Sequence, residues 1–444
     1  MRLITGPAGS GKTAYLLDRF REALRAKNEG VRLLVPTATM AQHLQNLVAR
    51  EGLVFRSGLI QTLSAFVESR VSDFPEVPDP VLYLVVEQAV ANVNRPEFRR
   101  VARLPGFCAS VARTILEFSS AGCDSARLAA SLPDAPLAAA FLAVFEEVDR
   151  ELDRRGLLLR SKRLECAAAR IHAEGTHGIH TIWLDGFHAL PDPELAVIRA
   201  LGQHTEVTLA LSESDTAQSA RERLLAMGFR EERFAKRRGA PAIALVRAAG
   251  IERELEEIAR RILEQADAGR PFREMGIIVR AAESYVPLLR ATLERFGIPA
   301  RFYFDLKADE HPVTRFLAGA IDALLGGWDH AATLRVLRLA PRFADSRSMD
   351  RFDFAVREQI PNTGLGSLKA LAGEPDGPLA RLIDSLGALE EWRSFELTAA
   401  DWAARFRTLR NWYRAARPEV GAEVWPSPAK LLDLWDEIVE EAAG

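Results

Sequence analysis

The chain has 444 residues, of which 48% are hydrophobic, with a formal net charge of −3 at pH 7 and a pI near 6.3. This length predicts roughly two to four domains with substantial cores. No apolar run reaches the about 18 residues of a membrane-spanning helix, so no membrane association is expected. The slightly acidic balance excludes a globally basic nucleic-acid-binding surface, and any DNA site must be a local groove.

The cysteines and the N-terminus indicate the cellular compartment in which the protein is expected. Cys108, Cys123 and Cys166 have no metal-ligand spacing, and an odd, low number argues against a disulfide framework. The first residues enter a predicted strand at once, which leaves no room for a signal peptide. We therefore expect a cytoplasmic protein.

The first predicted elements enclose a phosphate-binding loop. A short apolar strand at 1–5 and an amphipathic helix at 14–25 flank residues 6–13, which read GPAGSGKT and match G-x-x-x-x-G-K-[ST]. Backbone N–H groups of such a loop form an anion cradle at the helix N-terminus. Lys12 would reach the β- and γ-phosphates of ATP, and the Thr13 hydroxyl would bind Mg²⁺. The predicted nucleotide contacts are Gly6, Pro7, Ala8, Gly9, Ser10, Gly11, Lys12 and Thr13.

Further strands alternate with helices and predict a parallel sheet in an α/β domain. These strands are predicted at 31–36, 59–63, 181–184 and 207–211. Residues 78–172 interrupt them with an Ala- and Leu-rich helical pattern. We therefore predict a first domain over 1–77 plus 173–235, with an all-helical insertion at 78–172.

A second α/β unit is predicted after a linker at 236–241. Its strands are predicted at 242–247, 275–280 and 300–303, with helices between them. Beyond residue 312 the pattern is again helical. The second half is thus divided into 236–330 and 331–444.

A second nucleotide element is predicted where the strand at 181–184 ends in Asp185. A carboxylate at that place holds Mg²⁺ through its water shell, although a turn role before a glycine is also open. The next residue is Gly186, which has no side chain to orient an attacking water. His188, Asp192 and Glu194 follow as open alternatives for a base. The pattern predicts ATP·Mg²⁺ binding with weak or absent hydrolysis.

Several segments, in this order, resemble the AddB/RexB family, the helicase-like subunits of bacterial helicase-nucleases that repair double-strand breaks. The second unit is also similar to UvrD-type superfamily 1 helicases. The segments that carry the resemblance are LITG at 3–6, LLVP at 33–36, PGF at 105–107, EFSSAG at 117–122, WLDGF at 183–187, GIIVR at 276–280 and HPV at 311–313.

The resemblance implies a RecA-like P-loop domain (1A, 1–77 plus 173–235) with a helical insertion (1B, 78–172). It also implies part of a second RecA-like domain (2A, 236–330) with a truncated helical insertion (2B, 331–444). The implied ligands are ATP, Mg²⁺ and DNA, and the implied partner is a second, AddA/RexA-like subunit.

The resemblance also assigns individual contacts. Arg280 stands where UvrD-type enzymes place a γ-phosphate contact. Thr37, Thr39, Thr62 and Phe66 stand where superfamily 1 proteins touch DNA. Helix capping is the alternative role for the three hydroxyls.

Departures from the family pattern keep other functions open. Gly186 replaces the catalytic glutamate of active superfamily 1 helicases, and 211–215 lacks their coupling glutamine. The cluster cysteines and nuclease carboxylates of the family have no counterpart, so the chain looks like an N-terminal fragment without nuclease activity. An active translocase, a scaffold with a vestigial P-loop and a small-molecule P-loop kinase remain alternatives.

Overall fold

The computed structural model describes residues 1–132, 135–235, 242–303, 307–340, 346–359, 362–373, 377–412 and 428–443. The predicted linker at 236–241 lies outside this range. The chain divides into two compact units, Met1–Ala240 and Pro241–Gly444. Within the described ranges, no helix has the length and apolar character needed to cross a bilayer.

The first unit is built on a six-stranded parallel sheet in the order β3-β2-β4-β5-β1-β6. This confirms the predicted α/β fold with a parallel sheet. The strands are β1 (Arg2–Gly6), β2 (Val31–Val35), β3 (Ile60–Thr62), β4 (Thr181–Phe187), β5 (Glu206–Ser212) and β6 (Arg230–Arg233). The pattern missed β6, because its sequence REER is polar and it forms an exposed edge with β1 as its only partner.

Helices cover both faces of this sheet, and four further helices form a hydrophobic cluster of their own. The helices of the first unit are α1 (Lys12–Arg25), α2 (Ala38–Arg50), α3 (Leu63–Glu68), α4 (Asp79–Val93), α5 (Pro105–Ser120), α6 (Ser125–Ala129), α7 (Pro136–Arg155), α8 (Arg160–Glu174), α9 (Asp192–His204) and α10 (Asp215–Ala226).

The alternation of side chains along each strand produces two cores. Ile4 and Trp183 point to one face, where they pack in a cluster with α1 and α2. Leu3 and Leu184 point to the other face and pack with α3, α8, α9 and α10. Since both faces are buried, the strands read as continuous apolar runs, as is typical of parallel sheets.

Helices α4 to α7 form their own hydrophobic cluster between β3 and β4 along the chain. A buried arginine in α8 pairs with carboxylates of α3 and of the segment that precedes α4. The Arg163 side chain in α8 is only 7% exposed and pairs with Glu68 and Glu76. Its Nε also donates to the carbonyl of Phe74 at 2.7 Å.

The second unit is helical in its described residues. Its helices are α11 (Ile251–Asp267), α12 (Ala282–Arg295), α13 (Pro312–Leu325), α14 (His330–Leu339), α15 (Ser346–Glu358), α16 (Leu365–Leu371), α17 (Pro378–Gly387), α18 (Ala399–Arg410) and α19 (Pro428–Ala443). Helices α11 and α12 share a small core, and α13 to α19 share a larger one.

The sequence predicted strands at 242–247, 275–280 and 300–303. This prediction is wrong, because the described residues of these segments form no strand. The segment at 275–279 alternates as a strand would: Ile277 and Val279 pack against α11 and α12, while Ile278 is 96% exposed. An extended segment becomes a strand only when a neighbour completes its hydrogen-bond ladder, and no ladder forms among these described segments. At 242–247 neither exposure nor pairing follows the prediction, since Ile243 and Leu245 are 88% and 97% exposed.

Replacing Arg163 with methionine should lower the free energy of unfolding of the first unit by about 2 kcal/mol. The Phe74 carbonyl would lose its donor, while Glu68 and Glu76 are exposed enough to be rehydrated. Arg154→Met is the matched control, because this arginine is 62% exposed and should change stability by less than about 0.5 kcal/mol. Hydrogen exchange of α8 during urea titration measures both, and equal effects would contradict the role of Arg163.

Candidate nucleotide-binding site

The loop between β1 and α1 has the backbone geometry of a phosphate cradle. Gly9 and Gly11 adopt positive φ angles of 77° and 92°, which glycine reaches without strain. Gly6 leaves no room for a side chain: a Cβ there would lie 2.6 Å from the Phe234 carbonyl and 2.9 Å from Ser10 Oγ. The loop therefore brings backbone N–H groups to the N-terminus of α1, where anions bind.

Lys12 is folded back into this loop. Its side chain is buried, and Nζ donates to the carbonyls of Gly6 at 2.7 Å and Pro7 at 2.9 Å. Burial lowers the pKa of Lys12, while the charges of Asp185 and Glu213 act in the opposite direction. A neutral carbonyl binds an ammonium group less strongly than an anion does, so Lys12 can exchange these contacts for contacts with an anion.

Asp185 faces the loop from β4 and is only 4% exposed. Burial raises its pKa, while a hydrogen bond from Thr13, the Gly186 backbone and the Lys12 charge partly offset that effect. Its Oδ2 has no hydrogen-bond partner among the described residues. A buried carboxylate oxygen without a partner, beside a threonine hydroxyl, fits the oxygen ligands that Mg²⁺ prefers.

The described residues contain no group of three His, Cys, Asp or Glu side chains that could hold a metal alone. Mg²⁺ does not require such a cage, since it retains waters and takes ligands from bound phosphates. Thr13 and Asp185 are therefore the candidate protein ligands for Mg²⁺.

These groups line one cavity of about 480 Å³ at the β1–α1 loop and the carboxyl-terminal parts of β4 and β5. Its lining comprises Ala8, Gly9, Ser10, Gly11, Lys12, Thr13, Asp185, Gly186, Phe187, His188, Ala210 and Ser212. Ser212 and Ala210 were not predicted from the sequence. They enter the site only because β5 lies between β1 and β4, which no local pattern shows.

Gly186 is fixed by its surroundings as well as lacking a side chain. Its φ of +83° lies in the left-handed region, at an irregularity where β4 shifts register against β5. A Cβ at this position would lie 2.6 Å from Met40 Sδ and 2.8 Å from Met40 Cε. A side chain at Gly186 would therefore require a strained left-handed backbone and a shift of the flexible end of Met40.

The three alternative bases are placed differently. His188 is exposed and lines the cavity. Asp192 pairs with Arg127 and Arg223, away from that lining. Glu194 is also outside it, and burial raises its pKa. Of the three, only His188 reaches the cavity.

The predicted DNA contacts lie at the carboxyl ends of β2 and β3. The hydroxyls of Thr37 and Thr62 accept N-cap hydrogen bonds from the backbone of Met40 and Ala65. Thr39 is exposed in the first turn of α2.

The two remaining predicted contacts have different settings. Phe66 is 1% exposed, with the Arg70 guanidinium 5.2 Å over its ring. Arg280 is exposed in the second unit, at a bend before α12.

This geometry defines the first unit as a P-loop α/β domain. No protein-family model matches the chain. Curated relatives do: the protein of Moorella thermoacetica is 26% identical over 418 residues, that of Symbiobacterium thermophilum 27% over 417, and that of Bacillus velezensis 21% over 446. Each is named as the B subunit of an ATP-dependent helicase/deoxyribonuclease.

These alignments cover 76% to 81% of the chain but only 35% to 36% of each relative. The chain is thus a homologue of helicase/deoxyribonuclease B subunits that spans about a third of their length. This confirms the resemblance to the AddB family.

Gly186→Ala should destabilise the protein more than Gly178→Ala does. Both glycines have φ near +83° to +84°, but a Cβ at Gly178 meets nothing within 4 Å. Each substitution should cost about 1 kcal/mol because the left-handed backbone is strained, and Gly186→Ala should cost about 1 kcal/mol more because it displaces the flexible end of Met40. Thermal unfolding measures the difference, and Met40→Ala should recover part of the excess. Equal losses at the two glycines would show that Met40 imposes no constraint.

As the pH falls, the gain in ATP affinity that Mg²⁺ provides should decrease. This decrease should begin at a pH above the ordinary aspartate pKa. The reason is that burial raises the pKa of Asp185, so its carboxylate is protonated earlier as the pH falls. Calorimetric titration with and without Mg²⁺ from about pH 5 to pH 8 measures this. Asp185→Asn should remove most of the Mg²⁺ contribution throughout and reveal the titration of ATP itself. Asp18→Asn, on the exposed side of α1, should behave as wild type.

Proposed function

We propose that the chain is an ATP- and DNA-binding, helicase-like part of a bacterial helicase-nuclease that acts in double-strand-break repair, with impaired hydrolysis. The observation that carries the nucleotide site is the unpartnered Asp185 oxygen beside Thr13, opposite the buried ammonium group of Lys12. Burying both charges is unfavourable unless a ligand compensates them. A Mg²⁺-bound triphosphate supplies the missing partners for both.

Binding would proceed by exchange of the contacts of Lys12. Nζ leaves the carbonyls of Gly6 and Pro7 and donates to phosphate oxygens, which form stronger, charge-assisted hydrogen bonds. The backbone N–H groups of 9–13 hold the β-phosphate. Thr13 and Asp185 would hold Mg²⁺, which would supply positive charge beside the phosphates.

Hydrolysis requires a group that orients the attacking water. The position after Asp185 is Gly186, which has no side chain, and a glutamate there would strain a left-handed backbone and displace the flexible end of Met40. On this proposal, the bound nucleotide acts through its binding energy. An active translocase is the second candidate, and the exposed imidazole of His188 in the cavity is the observation that favours it.

The DNA and the partner are proposed from the homologues, whose name includes an ATP-dependent helicase and a deoxyribonuclease. Thr37, Thr39 and Thr62 would contact backbone phosphates at the carboxyl ends of β2 and β3. Phe66 is 1% exposed and lies in the core of the sheet unit, so its ring is not accessible to DNA. Arg280 would contact the γ-phosphate from domain 2A. An AddA/RexA-like subunit would supply the active motor.

The domain boundaries are proposed with the same scheme. Domain 1A comprises 1–77 and 173–235, 1B comprises 78–172, 2A comprises 236–330 and 2B comprises 331–444.

Lys12→Ala should weaken ATP·Mg²⁺ binding by at least about 30-fold, because it removes a charge-assisted contact worth roughly 2 kcal/mol or more. Lys369→Ala, an exposed lysine in the second unit, should leave binding unchanged. Neither protein should release phosphate above background, with or without single-stranded DNA. Robust turnover that Lys12→Ala abolishes would overturn the hydrolysis-impaired proposal, and His188→Ala would then test the second candidate.

A further inference from the structure

The connection between α4 and α5 concentrates positive charge at the surface of the first unit. All the arginines of residues 95–103 are exposed, namely Arg95, Arg99, Arg100 and Arg103. None of these guanidinium groups forms an ion pair or a hydrogen bond with the residues that the structure describes. Glu97 is the one carboxylate in this stretch, which therefore keeps a net charge of +3. We call residues 95–103 the arginine tip.

The arginine tip is compact and anchored in the core. It folds through consecutive turns, in which the Phe98 N–H donates to the Arg95 carbonyl at 3.1 Å and the Val101 N–H to the Phe98 carbonyl at 2.9 Å. The Phe98 side chain is 4% exposed and packs on Phe107, with ring centroids 5.0 Å apart. The fold therefore holds four like charges close together, where an anionic ligand would relieve their mutual repulsion.

Exposed arginines elsewhere in the helical insertion do pair with carboxylates. Arg150 and Arg154 are 63% and 62% exposed, yet each forms an ion pair with the glutamate three residues before it. The guanidinium groups of the arginine tip have no such partner among the described residues and are available to a ligand. The planar fork of arginine matches the oxygens of a phosphate group and forms charge-assisted hydrogen bonds with it.

Helix α5 separates the arginine tip from the predicted DNA contacts. The opposite end of α5 lies at α8, where the hydroxyls of Ser119 and Ser161 are hydrogen-bonded. The adjacent Arg160 donates to Ser64 Oγ at 2.8 Å, two residues after Thr62. The 16 residues of α5 rise about 24 Å, which places the arginine tip on the order of 20 Å from Thr62.

We propose that the arginine tip binds the phosphate backbone of duplex DNA, next to a strand that passes the carboxyl ends of β2 and β3. This inference rests on the proposed DNA binding and adds a separate duplex contact to it. A duplex carries one negative charge per about 1.7 Å of its axis, twice the density of one strand, so it offers several fixed phosphates to one compact cluster. A separation on the order of 20 Å corresponds to about six base pairs at about 3.4 Å each.

The test removes these charges from the full chain and measures DNA affinity by fluorescence anisotropy at several salt concentrations. The tip variant combines Arg95→Gln, Arg99→Gln, Arg100→Gln and Arg103→Gln, and the probes are a blunt duplex and a single strand of equal length. Duplex affinity should fall at least about tenfold, and the slope of log K against log salt should decrease in magnitude by about 3, because each lost phosphate contact contributes about 0.9. Single-strand affinity should change less than about twofold, since its contacts lie at β2 and β3.

A matched control removes the same number of charges elsewhere. It combines substitutions of four exposed arginines that also lack a carboxylate partner among the described residues: Arg25→Gln, Arg50→Gln, Arg270→Gln and Arg273→Gln. Net charge changes equally in the two variants, so the control should retain wild-type duplex affinity if the position of the charges matters. Both variants should keep the thermal unfolding and the ATP·Mg²⁺ affinity of the wild type, which verifies that they fold.

Each other outcome overturns the inference in a distinct way. Unchanged duplex affinity in the tip variant would show that the arginine tip does not bind DNA and would favour an acidic protein surface as its partner. Equal losses for duplex and single strand would contradict a separate duplex contact, and equal losses in the control would show a general charge effect. If the wild type binds the single strand but not the duplex, this inference alone fails. If it binds neither, the proposed DNA binding fails as well.

Discussion

The site depends on the position of β5 between the two strands that carry its charged groups. Parallel pairing aligns Thr5 with Leu211 and Leu184 with Leu209, so β1 and β4 end at the same edge of the sheet. Neighbouring strands lie about 4.8 Å apart, which separates the ends of β1 and β4 by roughly 10 Å. On the proposed function, this gap is the space for a phosphate chain with Mg²⁺, and a direct β1–β4 pairing would close it.

The same edge concentrates two charges that the fold does not otherwise need. Lys12 and Asp185 are buried, and burial favours the neutral form of each side chain. It lowers the pKa of Lys12 and raises the pKa of Asp185. In the described structure Lys12 is satisfied by carbonyls, whereas one oxygen of Asp185 has no partner. Such an arrangement lowers stability in the absence of ligand. A ligand at a free concentration of 100 times its Kd would raise the free energy of unfolding by about 2.7 kcal/mol.

The sequence predicted those features that depend on local pattern. The loop 6–13, its flanking strand and helix, and Asp185 at the end of β4 all follow from short motifs and hydrophobic runs. Strand β6 escaped detection because its pairing with β1 determines its structure, and its residues are polar. The strands predicted in the second unit were wrong because an apolar run only makes a strand possible, whereas a strand also needs a hydrogen-bonding partner. The contacts of Met40 with Gly186 and of Phe234 with Gly6 join distant segments, so no local motif could reveal them.

On the proposed function, Gly186 separates two roles that a P-loop site ordinarily combines. Binding needs the cradle, Lys12, Thr13 and Asp185, and all of these are in place around one cavity. Turnover also needs a positioned base, and the backbone at Gly186 is organised around the absence of a side chain. A nucleotide held without turnover can still shift the equilibrium between two conformations by its differential affinity for them. On the proposed function, ATP would therefore act on this domain as a ligand that sets its conformation, and work that requires repeated hydrolysis would fall to the partner subunit.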